Sequence, residues 1–288
     1  MTNVRMSATS IIAVISFFMV RPCDAPADEA KVPGILFAVT DTSRVTSIEP
    51  FAYVVDGKLI NIPNDVDQQQ FGKRYYSDHH RYTLFVAGRA GGSVEVGQTL
   101  FDTDCVNLGA DAAITPSGKA TSMRMALASN VPLRDLDYTR RSASDAEKTA
   151  IMSLATHVYT EHGVPAGWAT KARVSNLTAV QGKSGTVLIG SFIVQRQDRP
   201  GADPVDEAVF LIAERNAKGA YEATYSWFHS GAESATQKQD LVDIVDIAGT
   251  GFPDVVTEID YYESTDYHVY RKAGGKWGEI YRSQVSGC

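Results

Sequence analysis

Acidic side chains are concentrated in one stretch near the C-terminal end of this 288-residue sequence. Between Gln239 and Tyr270 there is no lysine or arginine but there are eight acids: Asp240, Asp243, Asp246, Asp254, Glu258, Asp260, Glu263 and Asp266. The whole chain carries a formal charge of −7, so the remainder is nearly balanced. Carboxylates attract cations and accept hydrogen bonds from hydroxyl groups, and the neighbouring aromatic rings can stack on sugar faces. This chemistry favours a cationic or carbohydrate ligand.

The candidate ligand-binding residues of this stretch are Asp260, Tyr262, Asp266, His268 and Tyr270. An alternative interpretation needs no ligand. Aromatic residues are good strand formers, and their alternation with acids can describe one buried and one solvated strand face. The sequence leaves both interpretations open.

No catalytic signature accompanies these acids in the sequence. Glu258 and Asp260 would share one face of one strand, about 7 Å apart, whereas a glycosidase needs two carboxylates on opposite sides of a cleft. The sequence has no H-E-x-x-H metal motif, no G-x-S-x-G elbow, no phosphate-binding glycine loop and no C-x-x-C pair. It therefore identifies no catalytic residue, and the negative charge argues against a nucleic-acid partner.

One loop within the acidic stretch carries a family resemblance. Asp246-Ile-Ala-Gly-Thr-Gly-Phe-Pro-Asp254, followed by two valines, resembles the loop of FG-GAP/VCBS-type β repeats. The resemblance implies a blade-like β domain and a Ca²⁺ site built from loop oxygens, here Asp246, Thr250 and Asp254. Ala248 and Thr250 stand where the family has acids. We therefore expect a structural turn that has lost its metal, and no other cofactor is indicated.

A fainter copy of the pattern lies at Val180-Gln-Gly-Lys-Ser-Gly185. The two copies indicate a repeat with a period of about 65 residues, and the resemblance extends over residues 170–285 at most. Proteins of this family are typically adhesion, lectin-like or scaffold modules. This implication comes from the fold and does not establish function.

The N-terminal residues have the layout of a secretory signal peptide. Arg5 precedes an apolar run of ten residues from Ile11 to Val20, and the small residues Ala25-Pro26-Ala27 follow Pro22. A membrane-spanning helix needs about 20 apolar residues, so the run is short for a retained anchor. The pattern predicts cleavage after residue 27 and a periplasmic or secreted protein.

Two cysteines remain after this cleavage, Cys105 and Cys288. In an oxidising compartment an isolated pair is typical of one disulfide bond. The alternative is two buried or free thiols.

Hairpin signals dominate the first half of the chain. A strand is expected at residues 35–39, and Asp56-Gly57 between apolar runs predicts a type I′ turn. A second hairpin is expected over residues 81–101, with a glycine-rich turn at Gly88, Gly91 and Gly92. A further strand is expected at residues 123–128.

A single helix is predicted after residue 143. Ser144 and Glu147 form a capping-box pattern, in which each side chain satisfies a backbone amide of the other residue. Ile151, Leu154, Ala155 and Val158 follow with helical spacing, and Gly163 and Pro165 end the helix.

The remainder of the sequence returns to strands, expected at 187–194, 208–213, 223–228, 241–247, 254–262, 266–271 and 276–281. The fold class is therefore mainly β (α+β), with an antiparallel meander or blade-like repeats in the C-terminal half. We divide the chain into a signal peptide (1–27), an N-terminal β-rich domain (28–140), a helix and connector (141–170) and a C-terminal FG-GAP-like β domain (171–288).

The function expected from the sequence is that of an exported, non-enzymatic binding or scaffold protein. Its partner would be an extracytoplasmic polysaccharide, peptide or protein, contacted through the acidic, aromatic stretch. The alternative is a periplasmic or secreted hydrolase with an unrecognised site. An enzyme would place Asp260, Tyr262 and His268 at the base of a deep cleft, whereas a binding module would expose them on a shallow surface.

Overall fold

The structure, a computed structural model, describes residues 33–41, 46–99, 108–117, 125–183, 185–197, 199, 201, 203–232, 235–284 and 286–287. The predicted signal peptide and both members of the predicted Cys105–Cys288 disulfide lie outside these residues. No helix among the described residues is long and apolar enough to cross a membrane.

Seven strands of the first half form the barrel sheet. They are β1 (Gly34–Asp41), β2 (Thr46–Val55), β3 (Lys58–Ile60), β4 (Arg81–Val86), β5 (Arg89–Thr99), β6 (Ala110–Pro116) and β7 (Met125–Ser129). Their order is β1-β7-β4-β5-β6-β2-β3, and β1 also pairs with β2. That pairing closes six strands into a barrel. Its interior is filled by aromatic and aliphatic side chains such as Phe37, Tyr82 and Val94.

The two hairpin turns of the barrel sheet have the backbone that their sequences dictate. Asp56 and Gly57 have φ of 50° and 71°, the two positive values that a type I′ turn requires. The second turn is shorter than predicted, because it consists of Ala87 and Gly88 alone, at φ of 55° and 75°. Gly91 and Gly92 belong to β5. A Cβ on Gly92 would lie 2.3 Å from the Thr115 carbonyl oxygen, so close strand packing explains this glycine.

The second half forms two antiparallel sheets. The outer sheet has the order β12-β11-β10-β9-β8. It comprises β8 (Thr139–Arg141), β9 (Arg173–Gly182), β10 (Gly185–Arg196), β11 (Val205–Arg215) and β12 (Tyr221–Ala232). The central sheet has the order β13-β14-β15-β16, with β17 on β15. It comprises β13 (Lys238–Val245), β14 (Asp254–Asp260), β15 (Ser264–Ala273), β16 (Lys276–Arg282) and β17 (Ser286–Gly287). The prediction of a mainly β fold is confirmed.

The predicted helix is α2 (Asp145–Glu161), and its capping box is present. Glu147 N–H donates to Ser144 Oγ at 3.3 Å, while Glu147 Oε2 accepts from Ser144 N–H at 2.8 Å. Two short helices were not predicted, α1 (Gln68–Tyr75) and α3 (Ala166–Ala169). In α1 only Phe71 and Tyr75 are buried, so its apolar pattern is limited to one pair four residues apart.

The layers are stacked in a fixed order, with the central sheet in the middle. One face of the central sheet packs on the barrel sheet through Val242, Val256 and Val269, and the barrel contributes side chains such as Leu36 and Phe85. The other face packs on the outer sheet, where Ile244 and Val255 are in the same cluster as Ile189 and Phe210.

The far side of the outer sheet is covered by α2, through Ile151, Ala155 and Tyr159. A sheet covered on both faces needs apolar residues at successive positions, which explains the unbroken apolar run of β11; β13 is buried just as continuously but includes Asp240 and Asp243. Each fully buried aliphatic or aromatic side chain contributes about 1.5–3 kcal/mol. The acidic stretch therefore lies in the most enclosed layer of the protein.

Candidate functional site

Most of the acidic stretch is buried. Six of its eight acids are shielded from solvent: Asp240, Asp243, Asp246, Asp254, Glu258 and Asp266. A buried carboxylate is costly unless it is paired or hydrogen-bonded, so the partners of each acid decide which of them can serve a ligand.

The acids of the loop from Asp246 to Asp254 hold that loop together. Asp246 Oδ1 accepts from the backbone N–H of Thr250 at 2.9 Å, and Asp246 Oδ2 accepts from that of Gly251. Asp254 makes a bidentate pair with Arg271, with distances of 2.6 and 2.9 Å. Burial raises the pKa of Asp254, and Arg271 opposes that shift. In the predicted metal candidate, formed by Asp246, Thr250 and Asp254, both carboxylates are thus engaged by backbone amides and a guanidinium.

Asp266 and His268 form a second internal network. His268 Nε2 lies 3.1 Å from Asp266 Oδ1, and Nδ1 lies 2.6 Å from Glu279 Oε2. Arg282 Nε donates to Asp266 Oδ2 at 2.8 Å. Burial alone would raise the pKa of Asp266, but the hydrogen bonds from His268 and Arg282 outweigh it and lower that pKa.

Asp243 links three layers from a fully buried position. It accepts from the backbone N–H of Ala87 in the barrel turn at 2.8 Å and from Arg140 Nη1 of β8 at 2.9 Å. Burial raises its pKa to about 6, against the opposing effect of Arg140. Both carboxylate oxygens of Asp243 are therefore occupied by hydrogen bonds within the fold.

The five ligand-binding residues predicted from the sequence do not share one exposed face. Asp266, His268 and Tyr270 are all buried, and Tyr270 packs between the central and outer sheets. Asp260 is half-buried, and only Tyr262 is strongly exposed, at 68%. These residues do not form the base of a deep cleft.

A different group of acids converges instead. Asp240, Glu258 and Asp260 place carboxylate oxygens within 4.8 Å of one another. Asp240 on β13 is directly opposite Glu258 on β14, and Lys238 is opposite Asp260. The Lys238 ammonium contacts Asp240, so these four groups together carry a formal charge of −2. This carboxylate cluster supplies the hard oxygen ligands and negative potential that suit a cation.

The carboxylate cluster borders a cavity of about 520 Å³. Asp240 and Glu258 form part of its wall, together with Val86, Ala87 and Met125 of the barrel sheet and residues 140–142 and 175–178 of the outer sheet. All three sheets therefore contribute to this junction cavity. Its size and mixed apolar and polar lining are those of a small-ligand site.

The two arginines of the junction cavity are already paired. Arg140 bonds Asp243, and Arg141 makes a bidentate pair with Glu147 at 2.7 and 2.8 Å. Ser175 Oγ reaches Asp240 Oδ1 at 3.4 Å. The charges of both guanidinium groups are therefore offset by acids outside the carboxylate cluster.

Sequence reasoning missed the residues that β8 and β9 bring to the cavity. Ser175 and Asn176 are more than 60 positions from Asp240 in the chain, and only the stacking of the sheets places them together. The one local signal for this part of the cavity was the closeness of Arg141 in the sequence to the capping-box residue Glu147, with which it forms an ion pair.

Comparisons with protein-family models, with curated proteins and with solved structures found no match to this chain.

Proposed function

We propose that this chain is an exported, non-enzymatic binding protein whose junction cavity receives a basic side chain of an extracytoplasmic peptide or protein. The observation that carries this proposal is the position of Asp240 and Glu258 on the wall of the cavity, with the Asp260 carboxylate within 4.8 Å of both. The pattern of the N-terminal 27 residues supports the exported location.

The charge and shape of the junction cavity support a lysine or arginine side chain as the occupant. A cationic group between Asp240 and Glu258 would offset the repulsion between two acids that face each other on adjacent strands. The apolar walls at Val86, Met125 and Leu177 would contact the aliphatic stem of the same side chain.

The arrangement of the acids supports binding over hydrolysis, which is the alternative. Asp240 and Glu258 project from one face of one sheet, side by side. A glycosidase holds its two carboxyl groups on either side of the scissile bond. Tyr262 is exposed and His268 is buried, so the residues expected at the base of a catalytic cleft are separated.

Calorimetric titration of the mature chain tests the binding proposal. The probe is the blocked peptide Ala-Lys-Ala, and the matched control ligand replaces lysine by norleucine, which keeps the aliphatic stem and removes the charge. We expect a Kd on the order of 100 µM for the lysine peptide, about −5.5 kcal/mol, and at least tenfold weaker binding of the norleucine peptide.

The matched protein variants are Asp240→Asn/Glu258→Gln and Glu263→Gln. The double variant should lose binding of the lysine peptide, whereas Glu263→Gln removes an exposed acid outside the cavity and should retain it. Circular dichroism melts of each variant establish that it is folded. Equal affinity for both peptides, or undiminished binding by a folded double variant, would contradict the proposal.

The exported location has a separate test. The full chain, expressed with its N-terminal 27 residues, should be recovered outside the cytoplasm with Asp28 as its first residue. N-terminal sequencing reads this directly, and an uncleaved cytoplasmic chain would overturn that part of the proposal.

A further inference from the structure

A second concavity lies where the end of β12 meets the turn between β14 and β15. This aromatic hollow has a volume of about 470 Å³ and is lined by His229, Thr236, Gln237, Tyr261, Tyr262 and Glu263, among others. None of these residues lines the junction cavity.

The walls of the aromatic hollow are held by internal hydrogen bonds. Tyr261 Oη donates to Asp266 Oδ2 at 3.1 Å and accepts from Arg282 Nη2 at 2.8 Å. His229 Nε2 donates to the backbone carbonyl of Ala235 at 2.7 Å. These bonds fix the half-buried Tyr261 ring and the His229 ring before any ligand arrives, which lowers the entropy cost of binding.

Three side chains of the hollow keep their binding groups available. Within the described part of the chain, Tyr262, Gln237 and Glu263 form no hydrogen bond to another residue. Tyr262 is 68% exposed, so most of its ring surface is accessible to a ligand in the hollow.

We infer that the aromatic hollow is a binding site for a neutral saccharide. A tyrosine ring stacks on the apolar face of a pyranose, and its exposed position beside a fixed second ring suits a flat sugar. The Gln237 amide both donates and accepts hydrogen bonds, and the Glu263 carboxylate accepts from adjacent hydroxyl groups. This set of groups matches the alternating apolar and hydroxyl surfaces of a sugar chain.

This inference is independent of the proposed peptide-binding function. It requires neither the Asp240–Glu258 pair nor the junction cavity. The variant Asp240→Asn/Glu258→Gln should therefore bind saccharide as the wild-type chain does, which separates failure of one proposal from failure of the other.

Titration of the mature chain with cellohexaose, maltohexaose and chitohexaose tests the inference. At least one of these neutral oligosaccharides should bind with submillimolar Kd, and Tyr262→Ala should weaken that binding at least tenfold. Tyr262→Trp should restore most of it, because stacking requires an aromatic ring and not a hydroxyl group.

Phe252→Ala provides the matched control. Phe252 is 70% exposed but lies in the turn before β14, at the opposite end of that strand from Tyr262, so its removal should leave saccharide binding unchanged. Two results would overturn the inference: no binding of any of the three oligosaccharides, or equal effects of Tyr262→Ala and Phe252→Ala. A loss shared equally by both would indicate nonspecific adsorption to exposed rings.

Discussion

Asp240 and Glu258 face each other directly across β13 and β14, and their carboxylate oxygens lie within 4.8 Å. Like charges in directly opposed positions of an antiparallel pair disfavour the folded state. Both side chains are also buried, which strengthens the interaction. A pair of this kind is unfavourable for stability and favourable for holding a cation, so its position on a cavity wall links the fold to the proposed function.

The ammonium of Lys238 competes with a ligand for Asp240. Lys238→Met should therefore raise affinity for the lysine peptide about fivefold, equivalent to about 1 kcal/mol, because it changes the charge of the four groups from −2 to −3. The same substitution should lower the free energy of unfolding without ligand. Calorimetry and urea unfolding measure the two effects. Lys183→Met, which removes an exposed lysine, should alter neither; a drop in affinity for Lys238→Met would contradict this prediction.

Asp243 should make the protein less stable as the pH rises from about 4 to 6. Burial raises its folded-state pKa to about 6 from an ordinary value of 3.8, so in this range the folded state retains a proton that the unfolded state has released. The stabilisation that this retained proton gives the folded state is complete below the ordinary pKa and is lost as the pH passes the folded-state pKa. The free energy of unfolding falls by about 3 kcal/mol over this change.

The comparison that isolates this effect is urea unfolding of wild type and Asp243→Asn at several pH values. The wild-type free energy of unfolding should fall relative to that of the variant between pH 4 and 6. A constant difference across this range would show that Asp243 ionises normally, and would contradict the assigned burial.

Glu147 should be the most important polar residue of α2. Its side chain accepts from Arg141, from the Ser144 backbone N–H and from Tyr221 Oη. The Arg141 hydrogen bond is the largest cause that lowers the pKa of Glu147 to about 2. Glu147→Gln should cost about 2 kcal/mol, because it leaves the Arg141 guanidinium without its carboxylate partner, while the glutamine carbonyl can still accept from the Ser144 N–H.

Asp145 is the matched control for this substitution, since it lies in the same helical turn but is fully exposed. Asp145→Asn should leave the free energy of unfolding unchanged within experimental error, because solvent screens an exposed charge. Chemical unfolding of both variants decides the matter, and equal effects would argue against a special role for the buried acid.

The loop from Asp246 to Asp254 should be stable without Ca²⁺. Asp246→Ala should cost about 1–3 kcal/mol, because the backbone N–H groups of Thr250 and Gly251 would lose their acceptor. The wild-type Tm should be the same in millimolar Ca²⁺ and in chelator. A rise of several degrees with Ca²⁺ would instead indicate that the ion displaces these hydrogen bonds.

Local signals were read correctly from the sequence because their causes are local. The Asp56-Gly57 turn follows from the backbone freedom of those two residues, and the Ser144–Glu147 capping box follows from their spacing. Seven strands of the second half, β10 to β16, were also recovered, whereas β8, β9 and β17 were not predicted.

The environment of the acids could not be predicted in the same way. A strand with a charge at every second or third position is expected to have a solvated face, yet the central sheet is covered by the barrel sheet on one side and the outer sheet on the other. Arg140, Arg271 and Arg282 make this burial tolerable, and all three come from outside the acidic stretch. Only the tertiary arrangement separates acids that serve the fold from those that line the junction cavity.

The most direct test of the central claim is a crystal structure of the mature chain with the blocked Ala-Lys-Ala peptide. We expect the lysine ammonium to lie about 3 Å from carboxylate oxygens of both Asp240 and Glu258, with its aliphatic stem along Met125 and Leu177. A peptide bound elsewhere, or a cavity in which Lys238 alone contacts Asp240 at saturating peptide, would contradict it.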